Sequence, residues 1–133
     1  MTTDLPQGYQ PTAAEPYMNP LQIEYFRRKL SALRDSLLHE LTIANAPPAD
    51  QNMREGDQTD QASAETERDI EVLNRARTQL LLNHADLALT RIADNTYGYC
   101  EETGEPIGLK RLEVEPTATL SVEAKERQEK AGR

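Results

Sequence analysis

Large apolar residues recur at steps of three or four along the first half of the chain: Phe26, Leu30, Leu33, Leu37, Leu41 and Ala44. That period predicts an amphipathic helix with one narrow apolar stripe. Asn19 and Pro20 lie just upstream, an N-cap residue followed by a proline at the first helical position, where its missing N–H costs nothing. Pro47 and Pro48 then end the helix, because each lacks a donor and crowds the preceding turn. Gly56 closes the intervening loop, and a second helix is predicted over 57–93, with Ile70, Leu73, Leu80, Leu87 and Ile92 on or near one face. Ala76, Ala85 and Ala88 ease that seam, while Arg77 and His84 interrupt it. Two helices joined by a short loop pair as an antiparallel hairpin, so 19–95 reads as an antiparallel coiled coil with its tip at about 46–62.

The flanks follow other patterns. Residues 1–18 are polar, carry Pro6, Pro11 and Pro16, and read as a flexible tail that docks near Tyr17 and Met18. The last third, 96–133, places Gly98, Gly104, Gly108, Pro106 and Pro116 in turn-like settings. The alternation of Tyr97 and Tyr99, then Ile107 and Leu109, predicts a short hairpin across "ETGEP". Ser121 or Thr119 caps a charged C-terminal helix ending near Lys130. The fold class is mainly α, a long antiparallel coiled-coil hairpin carrying a small globular C-terminal region and a terminal helix.

Composition supports an elongated shape: 37% of the 133 residues are hydrophobic, 29% are charged, and there is one Phe and no Trp to fill a spherical interior. The net charge of −8 argues against DNA or an anionic membrane as a partner and favours a protein. Cys100 is the single cysteine, which excludes an intramolecular disulfide and suits a reducing cytosol. The opening "MTTDLPQGYQ" lacks the basic and apolar regions of a signal peptide, and no apolar run approaches the roughly 20 residues that span a bilayer. A cytoplasmic protein is expected. No nucleophile–base pair, P-loop or dinucleotide fingerprint appears, so no enzymatic activity is expected.

Four groups of residues are candidates for chemistry. "GDQTDQAS" holds Asp57 and Asp60 three apart with Ala62 behind them; on its own it reads as an N-cap and an acidic first turn. Asn74 and Arg77, in "NRAR", read as solvated coil residues, and Lys125 as a solvated helix charge. Cys100 reads as a partly buried small hydrophobe whose thiol the carboxylates of "CEETGE" would make less acidic.

Taken together, "EPYMNPLQIEYFRRKL", "DQTDQA", "NRAR" and "YGYCEETGEPIGLKRLEVEPTATL" resemble the DksA/TraR family of RNA-polymerase-binding regulators over about residues 15–130. The resemblance implies a globular end bearing a long coiled coil that enters the secondary channel of bacterial RNA polymerase. It implies regulation of transcription initiation without direct DNA binding, by a monomer, with the alarmone ppGpp as a candidate co-regulator. Residue by residue, it assigns the tip activity to Asp57, Asp60 and Ala62 and polymerase binding to Asn74 and Arg77. It places Lys125 in a ppGpp pocket, where two further positions, basic in better-known members, are His84 and Glu115 here. A Gre-like transcript-cleavage factor and a structural coiled-coil adaptor are the rival readings; "YCEETGEPIG" favours the initiation regulator over the cleavage factor.

The family's C-terminal zinc ribbon runs C-x₂-C, then C-x₂-C much later. Here those positions hold Cys100, Thr103, Ser121 and Ala124, one thiolate where structural zinc takes four thiolate or imidazole ligands. The expectation is therefore a degenerate, metal-free finger, similar to the zinc-independent branch of the family, with no zinc bound. Tyr97, Tyr99, Ile107, Leu109, Leu112, Val114, Leu120 and Val122 are expected to form an apolar core in the metal's place, with Ala124 covering the vacated site.

Overall fold

The structure, a computed structural model, describes residues 4–45 and 61–132. Residues 46–60, Asp57 and Asp60 among them, lie outside the described residues. Helix α1 spans Pro20–Asn45, α2 Gln61–Ala93, α3 Leu109–Val114 and α4 Val122–Ala131. The start of α1 follows the local chemistry: the Asn19 side-chain oxygen accepts from the N–H groups of Leu21 and Gln22 at 2.9 and 3.0 Å, two donors that the helix cannot satisfy internally.

Helices α1 and α2 pack antiparallel, and an ion pair between Arg34 and Asp86 at 2.5 Å bridges them on the outside of the rod. At 1.5 Å per residue, α1 extends about 39 Å and α2 about 50 Å. On α1, Phe26, Leu30 and Leu37 are buried and Leu33 and Leu41 half-buried, matching the predicted stripe. On α2 the seam differs from the expectation. Leu82, Ala85 and Ala88 are buried, with Leu89 and Ile92 half-buried, whereas Ile70, Leu73, Leu80 and Leu87 are exposed. The small Ala85 and Ala88 let the backbones approach, so that the large residues of α1 fill the interface and the leucines at 80 and 87 turn outward.

The C-terminal lobe is built on the base of the rod. Phe26, Leu30 and Ala88 belong to the same buried cluster as Tyr97, Cys100, Ile107, Leu112, Ala118 and Ala124. Of the expected apolar core, Tyr97, Ile107 and Leu112 are buried, and Leu109 and Leu120 pack at its margin. Val114, Val122 and Tyr99 are not part of it: they are 88%, 50% and 39% exposed. Val114 ends α3 and Val122 begins α4, positions that turn outward, while the Tyr99 ring sits edge-on against Tyr17 with centroids 5.6 Å apart. The predicted hairpin across "ETGEP" is reduced to one antiparallel bridge, Tyr99 to Pro106, closed by Cys100 N–H donating to Glu105 O at 2.7 Å.

The N-terminal segment makes contacts well before Tyr17. Turns at Pro6–Tyr9 and Thr12–Glu15 precede α1, and the Tyr9 hydroxyl donates to the Glu15 carboxylate at 2.6 Å. Gln22 is fully buried; its oxygen accepts from Met18 N–H at 2.8 Å and its amide donates to Thr12 O at 3.2 Å. The Tyr17 hydroxyl donates to Gly98 O at 2.6 Å and accepts from Gly108 N–H at 3.0 Å, joining this segment to two loops of the lobe.

Candidate functional site

The predicted site residues fall in three places. Ala62 lies in the first turn of α2. Asn74 and Arg77 lie on α2, both exposed. Leu73 and Leu80 flank Arg77 at helical spacing and are 68% and 53% exposed, so the cation stands in an apolar stripe on the outer face of the rod.

The four positions aligned with a zinc ribbon meet in the lobe. Cys100 is buried, and the Thr103 hydroxyl and the backbone N–H groups of Ser121, Thr103 and Glu102 hydrogen-bond to its sulfur. Ser121 is the N-cap of α4, its hydroxyl accepting from Ala124 N–H at 3.2 Å, and Ala124 is fully buried beside it. Burial pushes the Cys100 thiol up, but those hydrogen bonds outweigh it and hold the thiol at about 6. The expectation that nearby carboxylates make this thiol less acidic is thus corrected: the Thr103 hydroxyl, within the same short stretch, and the backbone N–H groups that converge on the sulfur dominate.

The third place is a cavity of about 300 Å³ between the rod and the lobe. His84 lines it from α2, Arg111 from α3, Glu115 from the residue after α3, and Lys125, Gln128 and Glu129 from α4. The structure therefore brings His84, Glu115 and Lys125 together, although His84 lies on the other side of the lobe's loops in the chain from the other two. Arg111 was not singled out by sequence reasoning; its Nε donates to Leu120 O at 3.0 Å and its other end lies 3.6 Å from the Glu115 carboxylate. The i, i+4 spacing of Arg111 and Glu115 was the available signal. With Glu115 paired in this way, part of its charge is offset, while Lys125 and His84 make no hydrogen bond or ion pair among the described residues.

Two family models cover most of the chain: residues 22–92 match the N-terminal domain of DnaK suppressor protein DksA, and residues 95–130 match the prokaryotic dksA/traR C4-type zinc finger. The RNA polymerase-binding transcription factor DksA of Caulobacter vibrioides is 48% identical over 127 residues, 94% of this chain and 88% of the relative. Its counterpart in Escherichia coli K12 is 36% identical over 119 residues, 90% of this chain and 79% of that protein. Among solved structures, transcription factor DksA2 from Pseudomonas aeruginosa superposes with a TM-score of 0.64 at 42% identity, covering 93% of this chain and 94% of that one.

The second match corrects one expectation. The expectation is a degenerate, metal-free finger with no zinc bound, but residues 95–130 match the model of a C4-type zinc finger, which points towards zinc binding. At the four positions themselves, Cys100, Thr103, Ser121 and Ala124 present one thiolate, two hydroxyls and a methyl group. No group of three or more His, Cys, Asp or Glu placed to hold a metal ion occurs among the described residues. That donor set does not fit the C4 pattern of the family.

Proposed function

The chain belongs to the DksA/TraR family, and on that premise we propose that it binds bacterial RNA polymerase and regulates the initiation of transcription. Its relatives carry the name RNA polymerase-binding transcription factor. The observation that carries the reading is the geometry at the base of the rod: one continuous core joins a 50 Å helix to a folded lobe, giving a stiff projection from a broad seat. Such a body reaches into a narrow channel while the lobe stays outside it.

In this reading the rod enters the secondary channel and brings Asp57, Asp60 and Ala62 towards the catalytic centre, where the polymerase supplies the metal ion. The apolar stripe around Arg77 supports docking of the outer face of α2 on the polymerase, with Asn74 beside it. The protein does no catalysis of its own, needs no contact with DNA, and acts as a monomer in the cytoplasm; no helix among the described residues is long and apolar enough to cross a membrane. The cavity between α2 and α4 takes ppGpp when the protein is on the polymerase. The unpaired Lys125 and His84 support that assignment, and the Arg111–Glu115 pair reduces the objection that Glu115 would repel a phosphate.

Initiation at a ribosomal promoter with purified polymerase tests this. Wild type is expected to change the yield of initiated transcripts, Asp60→Asn to lose the effect while still binding, and Arg77→Ala to require a higher protein concentration. Unchanged initiation with all three proteins would overturn the proposal.

A further inference from the structure

We propose that Glu113 is a positioning residue: by accepting the Tyr25 hydroxyl it fixes α3, and through α3 the lobe, against the rod. The inference rests on the polymerase reading given above and adds a residue that the action of the rod depends on.

Helix α3 has six residues, too few to hold its own place, so its seat is set by its side chains. Three consecutive ones reach three different parts of the fold. Arg111 Nε donates to Leu120 O at 3.0 Å, next to Ser121, the N-cap of α4. Leu112 is fully buried in the core shared with Phe26 and Leu30. Glu113 turns back to the rod, where its carboxylate accepts from the Tyr25 hydroxyl and lies 3.4 Å from Lys29 Nζ, both on α1. Apolar packing at Leu112 has no preferred direction, whereas the bond to Tyr25 does. Glu113 thus supplies a directional link from α3 to α1, and Arg111 carries it on to the start of α4.

Tyr25 is suited to this link. Its ring packs edge-on with Tyr9 and with the fully buried Phe26, centroids 6.2 and 5.2 Å away. The Lys29 ammonium lies 5.9 Å from the centre of the same ring. The bond to Glu113, with burial second, pushes the phenol up to about 12, so it keeps its proton and remains a donor at neutral pH. The Glu113 side chain is 44% exposed, and charged pairs open to water add little to stability. Breaking the link therefore leaves the fold intact and frees the angle between lobe and rod. A protein that seats its lobe while inserting its rod needs both in place together. Molecules set at other angles do not bind, so apparent affinity falls with the fraction correctly set.

The test compares full-length wild type with Tyr25→Phe, Glu113→Ala, Glu113→Gln and the double variant Tyr25→Phe/Glu113→Ala. For each, the protein concentration giving half-maximal effect on initiation is measured with purified polymerase. In the free proteins, spin labels on Ile43→Cys in α1 and Glu126→Cys in α4, both exposed positions, report the spread of rod-to-lobe distances; Cys100 is buried. Tyr25→Phe and Glu113→Ala are each expected to raise the half-effect concentration about three- to five-fold, the scale of one half-exposed charged hydrogen bond, and to broaden the distances. Glu113→Gln, whose amide oxygen still accepts, should stay within about two-fold of wild type. The double variant should be at most about two-fold weaker than Glu113→Ala alone, because both changes break one link. Losses that multiply in the double variant, or that arise with unchanged distances, would show that Glu113 meets the polymerase directly and overturn the proposal, as would wild-type half-effect concentrations in both single variants. If wild type itself leaves initiation unchanged, the polymerase reading fails, while the distances in the free proteins still decide whether Glu113 sets the lobe.

Discussion

Gly98 and Met18 share one small volume: a Cβ built on Gly98 falls 2.9 Å from both Cγ and Sδ of Met18. Gly98 also has φ +92, in the region that L side chains rarely adopt, and Met18 itself sits at φ 54 with its side chain buried. The N-terminal segment and the lobe are therefore in close contact at this point.

Replacing Gly98 by Ala is expected to cost about 2–4 kcal/mol, combining backbone strain with overpacking. Gly104, at φ +77 with nothing within 4 Å of its virtual Cβ, should lose only about 1–2 kcal/mol on the same change. Urea unfolding of the two variants checks the difference. Equal losses would show that Met18 yields and that the close approach is not a constraint.

Tyr17→Phe removes the bond to Gly98 O and leaves the Gly108 N–H without its partner. The expected loss is about 1–2 kcal/mol, the lower part of the range for an unsatisfied donor, because the Gly108 N–H is only partly buried. Faster amide exchange at Gly108 than at Ile107, whose N–H bonds Gly98 O, would locate the effect.

The position of the helix seam is open to direct measurement. Leu82 is 6% exposed and Leu87 is 53% exposed. Leu82→Ala should cost about 2–4 kcal/mol, whereas Leu87→Ala should leave stability within about 0.5 kcal/mol. If the outer face of α2 meets the polymerase, Leu87→Ala weakens that interaction without weakening the fold, a separation that binding and unfolding assays on one protein sample resolve.

Acid stability should carry a signature of Glu24. Its carboxylate is nearly buried and lies 2.6 Å from both Arg27 and Arg28. Hydrogen bonding to Arg27, opposed by burial and reinforced by Arg28, holds it at about 2, below the ordinary 4.5. A carboxyl whose native value is depressed contributes stability above its unfolded value and loses it as pH falls towards the native one. Wild type should therefore lose melting temperature faster than Glu24→Gln between about pH 4.5 and 2, and the two curves should run parallel above about pH 5.5.

The parts legible in the sequence were those governed by local rules. The Asn19 cap, the Phe26–Leu37 stripe and the Ser121 cap each depend on residues within a few turns, and each appears in the structure. The seam of α2 was legible in part: Ala85, Ala88 and Ile92 lie where the pattern put them, but Leu82 is buried in place of Leu80 and Leu87, because small residues under the bulk of α1 set which side of the helix faces in. The lobe was only partly legible, since Tyr17 reaches Gly108 across 91 residues and no periodicity encodes that contact. At the candidate site, the family pattern marked Lys125, His84 and Glu115 separately. That they line one cavity, with Arg111 neutralising part of Glu115, depends on how α4 seats against α2.

The shared core at the base has a consequence for aim. A 50 Å arm magnifies any tilt at its mounting: one degree of play moves the far end of α2 by about 0.9 Å. Phe26, Tyr97 and Ala88 in one cluster, with the Tyr17 hydroxyl fastened to two loops at once, act as the bearing of a pointer. Substitutions in that bearing should scatter the direction of the rod before they unfold it, and so impair whatever the distal end does while leaving every distal residue intact.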